Sequence, residues 1–256
     1  MNAPPFANLS LEGYAIMRGV VVAWPVPAVA RMLPNELTLG AQSLTPPGTH
    51  PVVLFFYHVM DARMSAPTLL PPLTYREHIV GVPYTYASCD DARCDGHGPL
   101  FYMPTLRLDN VMAVSGGVMY WGFRKSLADV ITSSRVYDVF EPRGARLIAL
   151  DYETRGAYEP VTKFSQLERL RAALDQPVVG QFPMGTGSLI AASRFDRRWS
   201  DAGARPLVGT VTIERAYVPG MVLGEIAVSG IDESVTGGFE LATHWRLGLP
   251  FPATEL

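Results

Sequence analysis

Apolar positions in this chain come in short runs that are rich in valine, isoleucine, tyrosine and phenylalanine. Glycine and proline interrupt these runs at close intervals, with 23 glycines and 22 prolines in all. Short β-branched and aromatic runs between turn residues are typical of strands. The predicted strands are Val20–Trp24, Val52–Met60, Ile79–Tyr86, Val111–Tyr120, Ala145–Tyr152 and Val208–Tyr217. The pattern therefore predicts a β-rich fold.

Three segments carry a helical pattern instead. The clearest begins at Ser165, which forms a capping-box pattern with Glu168, and it ends before Pro177. Shorter helices are predicted at Pro27–Met32 and at Ser126–Ile131. Because neither a repeat nor a linker divides the chain, we expect residues 1–256 to form a single β-rich α+β domain.

The charge composition excludes several kinds of partner. Charged residues make up 18% of the chain, below the usual level of about 25%, and the net charge of −3 provides no basic surface for nucleic acid or anionic lipid. No apolar run approaches the roughly 18–20 residues that span a bilayer, and the N-terminal residues do not resemble a signal peptide, so we expect a cytoplasmic protein. Low charge and a mean hydropathy of +0.14 predict a homo-oligomer, which would cover apolar surface.

Two motifs that carry chemistry in other proteins are weak here. Cys89, Cys94 and His97 offer three possible zinc ligands, but no fourth is evident and their spacing fits no common zinc module. We interpret them as ordinary residues of a polar loop, and no metal site is predicted. The Gly-Thr-Gly-Ser stretch at 185–188 lacks the lysine of a phosphate-binding loop and is interpreted as a turn. No Gly-x-Ser-x-Gly sequence supports a serine hydrolase.

Primary amines are scarce in this chain. Of its 21 basic residues 19 are arginines, and the two lysines are Lys125 and Lys163. Lys125 follows an almost uncharged run over residues 111–123. A lysine in such a place is commonly a surface residue at the end of a strand. The alternative is a desolvated nucleophile, since burial disfavours the ammonium form and the adjacent Arg124 charge acts in the same direction.

The residues around Lys125 resemble a known family. The run Leu108–Leu127 carries a Leu-Asp-Asn sequence, then glycines, then an aromatic residue two positions before Lys125, and it is similar to the segment of the acetoacetate decarboxylases that holds their Schiff-base lysine. Activation of a lysine by desolvation or a neighbouring cation is what acetoacetate decarboxylase itself is known for. Tyr75–Glu77 is similar to the Tyr-x-Glu that supplies the family's active-site glutamate, and Arg18 lies where the family has a substrate-facing arginine. Without the resemblance, Glu77 and Arg18 would be interpreted as exposed charges.

The resemblance implies a single barrel-like antiparallel β domain that forms oligomers. It also implies that Lys125 and Glu77 are catalytic, and that no metal or organic cofactor is needed because the imine is itself the electron sink. The implied substrate-binding residues are Arg18, Phe56, His58, Tyr75 and Tyr120.

Two departures from the family's pattern bear on the reaction. The decarboxylases have two adjacent lysines where this chain has Arg124 and Lys125, and they have a second glutamate in a strand that here contains Phe55–His58. Imine formation does not need that glutamate, whereas loss of carbon dioxide is put in doubt. We therefore expect a Schiff-base lyase that acts on a pyruvate- or acetoacetate-like oxo acid, diverged towards aldolase-dehydratase or hydratase chemistry. The alternatives are a true acetoacetate decarboxylase and a non-catalytic ligand-binding barrel.

Overall fold

The computed structural model describes residues 9–65, 71–87, 97–181 and 190–252 of the chain. Strands make up most of the described residues, which confirms the predicted β-rich α+β class. The strands are β1 (Ser10–Pro25), β2 (Leu37–Leu39), β3 (Thr49–Met64), β4 (Leu73–Ala87), β5 (His97–Leu108), β6 (Lys125–Leu127), β7 (Asp129–Thr132), β8 (Val136–Phe140), β9 (Arg146–Thr154), β10 (Glu159–Pro160), β11 (Val178–Gln181), β12 (Ile190–Ser193), β13 (Phe195–Asp196), β14 (Gly203–Ile213), β15 (Gly224–Val228), β16 (Gly238–Gly248) and β17 (Phe251–Pro252). The helices are α1 (Val26–Ala30), α2 (Val111–Trp121) and α3 (Ser165–Leu174), with 3-10 turns at Val161–Lys163 and Trp199–Asp201.

Long antiparallel strands form the centre of one sheet. β1 pairs with both β16 and β3, β3 pairs with β4, and β4 pairs with β5. Beyond β16 the sheet continues through β14, β9, β8 and β7. Beyond β5 it continues through the parallel neighbour β11 and then β12 and β17. The described strands do not close into a barrel, so the barrel-like closure that the resemblance implied is absent from this part of the chain.

Alternation along the long strands creates two apolar cores. Side chains of successive strand residues point to opposite faces of the sheet. Phe55, Tyr57 and Tyr75 belong to the first core, which also takes up buried residues of α2 and α3. Phe56, which follows Phe55 on β3, belongs to the second core. Val80 of β4 belongs to it as well, together with buried residues of β8, β9 and α1. Which face a residue occupies therefore decides which core it enters.

The segment Val111–Tyr120, predicted as a strand, forms helix α2, so that prediction is wrong. The Asn110 side chain accepts hydrogen bonds from the backbone N–H groups of Met112 and Ala113, at 3.0 and 3.1 Å. Gly122 ends the helix in a left-handed conformation with φ of 63°. An uninterrupted apolar run suits a helix or a strand equally well. The two caps favour the helix here.

The segment Ser126–Ile131, predicted as a helix, is extended, so that prediction is also wrong. Lys125–Leu127 pairs in parallel with Leu106–Leu108 of β5, and Asp129–Thr132 pairs with β8. Backbone hydrogen bonds to strands distant in sequence outweigh the weak local preference for a helix.

The other two predicted helices are confirmed. α1 overlaps Pro27–Met32, and α3 begins at Ser165 with Leu167 and Leu170 fully buried in the first core. The predicted capping box does not form, because Ser165 is itself the first helical residue and Phe164 occupies the N-cap position without a side-chain bond. In the ranges that the structure describes, no helix is long and apolar enough to cross a membrane.

Candidate active site

Lys125 and Glu77 meet on the first-core side of the sheet. Lys125 begins β6 beside Leu106 of β5, and Glu77 of β4 lies opposite Leu108 of that same strand. The Lys125 Nζ donates a hydrogen bond to Glu77 Oε1 at 2.8 Å. The two side chains are 8% and 6% exposed. The register of three neighbouring strands thus places an amine and a carboxylate in direct contact inside the protein.

Helix α2 packs directly on the lysine side chain. A Cβ atom at Gly117 would lie 2.4 Å from the Cδ and Cε atoms of Lys125, so glycine is what allows this close approach. The last turn of α2 is held by Trp121, whose Nε1 donates to the Gly248 carbonyl at 2.8 Å. The helix therefore confines the aliphatic part of Lys125.

The amine borders a small cavity that we call the inner cavity. Its volume is about 60 Å³. Its described lining is mostly apolar, and the hydroxyl and charged groups come from Tyr57, Tyr75, Glu77, Lys125 and Arg197. Burial raises the pKa of Tyr57, and burial together with the Glu77 charge raises the pKa of Tyr75 well above its usual value. Both phenols therefore stay neutral at physiological pH.

Arg197 brings a second cation to the inner cavity. Its residue is 3% exposed, its guanidinium lies 4.5 Å from the centre of the Phe195 ring, and its Nη1 donates to the Leu174 carbonyl. The Nε atom is buried without a hydrogen-bond partner among the described residues. Within the same residues, no carboxylate forms an ion pair with Arg197. A buried guanidinium that lacks a counter-ion is suited to bind the carboxylate of a ligand.

A second and larger cavity, which we call the outer cavity, lies beneath α2. Its volume is about 360 Å³. Lys125, Tyr75 and Phe123 line both cavities, so the two cavities adjoin at the lysine. Met112 and Tyr120 of its lining are 49% and 53% exposed. The outer cavity therefore leads from the amine towards the protein surface.

The structure brings together some of the residues that the sequence singled out. Lys125, Glu77 and Tyr75 line the inner cavity, and Tyr120 lines the outer one. Arg18, Phe56 and His58 line neither of these two cavities in the part of the chain that the structure describes, and their roles as substrate contacts stay predictions.

The face of the sheet explains the position of Arg18. It lies on β1 and points to the second-core side, where its Nε is 2.8 Å from Glu240 Oε2 and its guanidinium is 4.8 Å from the centre of the Tyr152 ring. Its charge is therefore already balanced by a buried carboxylate on the far side of the sheet.

The same alternation accounts for Phe56 and His58. The Phe56 ring packs 4.8 Å from the His78 ring, between ring centres, in the second core. The pKa of His58 is lowered by partial burial and by the nearby Arg76 charge. Their neighbours Phe55 and Tyr57 line the inner cavity, together with Val59 of the same strand. The predicted substrate contacts Phe56 and His58 thus lie one position along β3 from Phe55 and Tyr57, which line the inner cavity.

Arg197 is the residue that sequence reasoning missed. It stands among Arg194 and Arg198 in a polar stretch, and both of these neighbours are exposed. No local pattern distinguishes the buried arginine from the two exposed ones, because its burial arises from contacts with β3 and α3. Cys89 and Cys94, like the Gly-Thr-Gly-Ser stretch at 185–188, lie outside the described residues, and within these no three acidic, histidine or cysteine side chains cluster around a metal-sized site.

Comparison by sequence finds neither a matching family model nor a matching curated protein. Comparison by structure does find similar folds. The enduracididine biosynthesis enzyme MppR, in complex with pyruvate, is 14% identical, with 99% of this chain and 92% of that chain covered at a TM-score of 0.56. The same enzyme in complex with the condensation product of pyruvate and imidazole 4-carboxaldehyde gives 14% identity, coverage of 98% and 90%, and a TM-score of 0.57.

An acetoacetate decarboxylase is also similar in structure. The enzyme from Legionella pneumophila is 15% identical, with 98% of this chain and 91% of that chain covered at a TM-score of 0.58. The chain therefore has the fold of the acetoacetate decarboxylase-like enzymes over almost its whole length.

Proposed function

We propose that this chain, which has the acetoacetate decarboxylase-like fold, is a Schiff-base-forming lyase that condenses pyruvate, or a closely related small oxo acid, with an aldehyde. The observation that carries the proposal is the buried contact of 2.8 Å between Lys125 Nζ and Glu77 Oε1 at the wall of a mostly apolar cavity. An amine and a carboxylate in contact there provide a nucleophile and a proton acceptor for the same reaction.

Imine formation begins with the free amine. Proton transfer from the Lys125 ammonium to Glu77 converts a desolvated ion pair into a neutral pair, which apolar surroundings favour. The amine then adds to the keto carbon of pyruvate to give a carbinolamine. The carbinolamine oxygen takes the proton back from Glu77 and leaves as water, which gives the iminium ion and restores the Glu77 carboxylate. Arg197 pairs with the pyruvate carboxylate, because it is the buried cation of the inner cavity that has no carboxylate partner among the described residues.

Carbon–carbon bond formation follows from the iminium ion. Glu77, as the carboxylate, removes a proton from the methyl carbon and leaves an enamine. The enamine carbon attacks the aldehyde carbon, and the aldehyde oxygen takes up a proton. Loss of that hydroxyl as water and hydrolysis of the imine release an unsaturated oxo acid and restore Lys125. The net reaction joins pyruvate and aldehyde and releases one water molecule.

Arg197 favours condensation over decarboxylation. Carbon dioxide leaves readily when the carboxylate is destabilised by apolar or anionic surroundings, whereas a guanidinium stabilises it. Among the described residues that line the inner cavity, Glu77 is the carboxylate, and it is engaged by Lys125. A true acetoacetate decarboxylase remains the second candidate, supported by the fold shared with the Legionella enzyme. Hydration of an unsaturated oxo acid through the same imine is a variant of the first candidate, the condensing lyase.

Borohydride reduction tests the proposal directly. Wild-type protein incubated with pyruvate and borohydride is expected to gain one reduced adduct by intact mass, mapped to Lys125. Lys125→Arg keeps a cation beside Glu77 and is expected to lose the adduct, since a guanidinium does not form the imine. The matched control is Lys163→Arg, which changes a lysine that is 60% exposed and paired with Glu159, and it is expected to trap pyruvate fully.

Three outcomes decide between the candidates. Trapping by Lys125→Arg to the wild-type extent contradicts the Schiff-base mechanism, and complete absence of trapping in the wild type favours a ligand-binding protein. If acetoacetate is instead decarboxylated with a kcat/KM of about 10⁴ M⁻¹s⁻¹ or more, an ordinary value for enzymes, the chain is a true decarboxylase.

A further inference from the structure

Resting on the proposed function, we infer that the second substrate is an apolar aldehyde, aliphatic or aromatic, which binds in the outer cavity. The inner cavity offers about 60 Å³ and already has to hold the oxo acid. The outer cavity is six times as large, at about 360 Å³, and is lined by the same lysine, Lys125. The division of space thus assigns one substrate to each cavity.

The lining of the outer cavity selects for apolar groups. Its walls are formed by apolar side chains, among them Met64, Leu73, Met112, Ala113 and Trp121. Its charged lining residues in the described ranges are Lys125 and Arg63, and the Arg63 side chain is 61% exposed and lies 3.9 Å from Glu12. A charged aldehyde would therefore lose its hydration without gaining a buried partner. An apolar chain or ring would instead be removed from water against apolar walls.

The position of Lys125 explains how the two substrates meet. The enamine formed from pyruvate is attached to the Nζ atom of Lys125, and Lys125 is a residue that lines both cavities. With the carboxylate held by Arg197 in the inner cavity, the nucleophilic carbon is left to react towards the outer one. The aldehyde carbon approaches from there, with its apolar tail extending beneath α2 towards Met112.

A series of aldehydes of increasing length provides the test. Wild-type protein is supplied with pyruvate and, in turn, acetaldehyde, butanal, hexanal, benzaldehyde and glyoxylate, and kcat/KM is measured for each aldehyde. We expect kcat/KM to rise about fourfold for each added methylene until the cavity is filled, the factor that corresponds to about 0.8 kcal/mol per buried methylene. Glyoxylate, which is small and charged, is expected to be among the poorest substrates.

A matched pair of variants on α2 locates the binding site. Met112→Gln places an amide in the lining of the outer cavity at nearly constant side-chain length, and we expect the ratio of kcat/KM for hexanal over acetaldehyde to fall roughly fivefold or more. Met119→Gln makes the same change on the same helix at a residue that is 66% exposed and outside the described lining, and the wild-type ratio is expected there. Met112 is 49% exposed and Met119 is 66% exposed, so folding should tolerate either change.

The outcomes separate this inference from the proposed function. If wild-type protein shows no borohydride adduct with pyruvate, the proposed function itself has failed. If the adduct forms but kcat/KM is independent of aldehyde length, or glyoxylate exceeds hexanal, the proposed function stands and the apolar aldehyde is refuted. Equal effects of Met112→Gln and Met119→Gln would refute the outer cavity as its site.

Discussion

His78 is a histidine held in a single protonation state by its surroundings. It is fully buried in the sheet, its Nδ1 donates to the Phe55 carbonyl at 2.8 Å, and its Nε2 accepts from the Tyr217 hydroxyl at 2.6 Å. Burial lowers its pKa from 6.5 to about 3. The neutral imidazole satisfies both partners, whereas an added proton on Nε2 would remove the acceptor of the Tyr217 hydrogen bond.

This histidine makes the free energy of unfolding depend on pH. Below pH 6.5 the unfolded chain takes up a proton on residue 78 that the folded protein does not accept until about pH 3. Stability is therefore complete above pH 6.5 and falls as the pH decreases, by about 1.4 kcal/mol per pH unit from this group. Urea unfolding measured from about pH 7 down to about pH 4.5 is expected to show a shallower pH dependence for His78→Gln than for wild type. His244→Gln, at an exposed position, is the control and should keep the wild-type slope. Equal slopes for all three proteins would contradict the prediction.

Residue identity singled out Lys125 and Glu77, whose catalytic roles stay predictions, but it did not indicate which residues surround them. Lys125 and Glu77 were singled out by the resemblance of their segments to the family's motifs, and the strand register brings the two side chains into contact. Arg18 carries the same charge as Arg197, but it lies on the opposite face of the sheet and pairs with Glu240. A sequence states which residues are arginines, whereas burial and facing depend on contacts made by distant strands.

At the scale of elements, helix α2 determines how Lys125 is presented. Gly116 and Gly117 are consecutive in this helix and differ in their surroundings. A Cβ at Gly117 would meet Lys125 Cδ and Cε at 2.4 Å, whereas one at Gly116 would have nothing within 4 Å. Gly116→Ala and Gly117→Ala should each stabilise the helix by about 1 kcal/mol, because alanine has a higher helix propensity than glycine. The two variants therefore share their effect on the helix and differ in their effect on the lysine.

Gly117→Ala is expected to displace Lys125 and slow the borohydride trapping of pyruvate by roughly 10- to 100-fold, since a displacement of about 1 Å has effects of this order. Gly116→Ala should trap pyruvate at the wild-type rate. Trapping is followed by intact mass over time, with circular dichroism to verify that both variants remain folded. A normal trapping rate in Gly117→Ala would show that α2 does not position the amine.

The boundaries of α2 also show where prediction from sequence stopped. The apolar run before Lys125 fits a strand as well as a helix, and the deciding signals were the single residues Asn110 and Gly122 at its ends. The extended conformation of Lys125–Leu127 depends on pairing with β5, which no local pattern records. The long strands β3 and β4, by contrast, were predicted because their β-branched and aromatic residues are continuous over many positions.

At the scale of the whole molecule, the fold class followed from the repeated alternation of short apolar runs with turns. The order of the strands in the sheet could not be predicted from that pattern. The inner cavity collects residues from β3, β4, β6 and the segment after β13, which the sheet topology brings together. The same topology leaves the described strands as an open sheet, although a barrel-like fold was expected.

The surface of the molecule bears on its state of assembly. Several large apolar side chains are more than half exposed in the isolated chain, among them Val111, Met119, Tyr120, Ile131 and Leu223. With 18% charged residues and a mean hydropathy of +0.14, few charges are present to keep such a surface solvated. We therefore predict that the chain is a homo-oligomer, in which self-association removes part of this apolar surface from water. Sedimentation equilibrium at micromolar concentration should give a mass that is a multiple of 28.0 kDa. A single species at 28.0 kDa would show instead that these side chains remain solvated in a monomer.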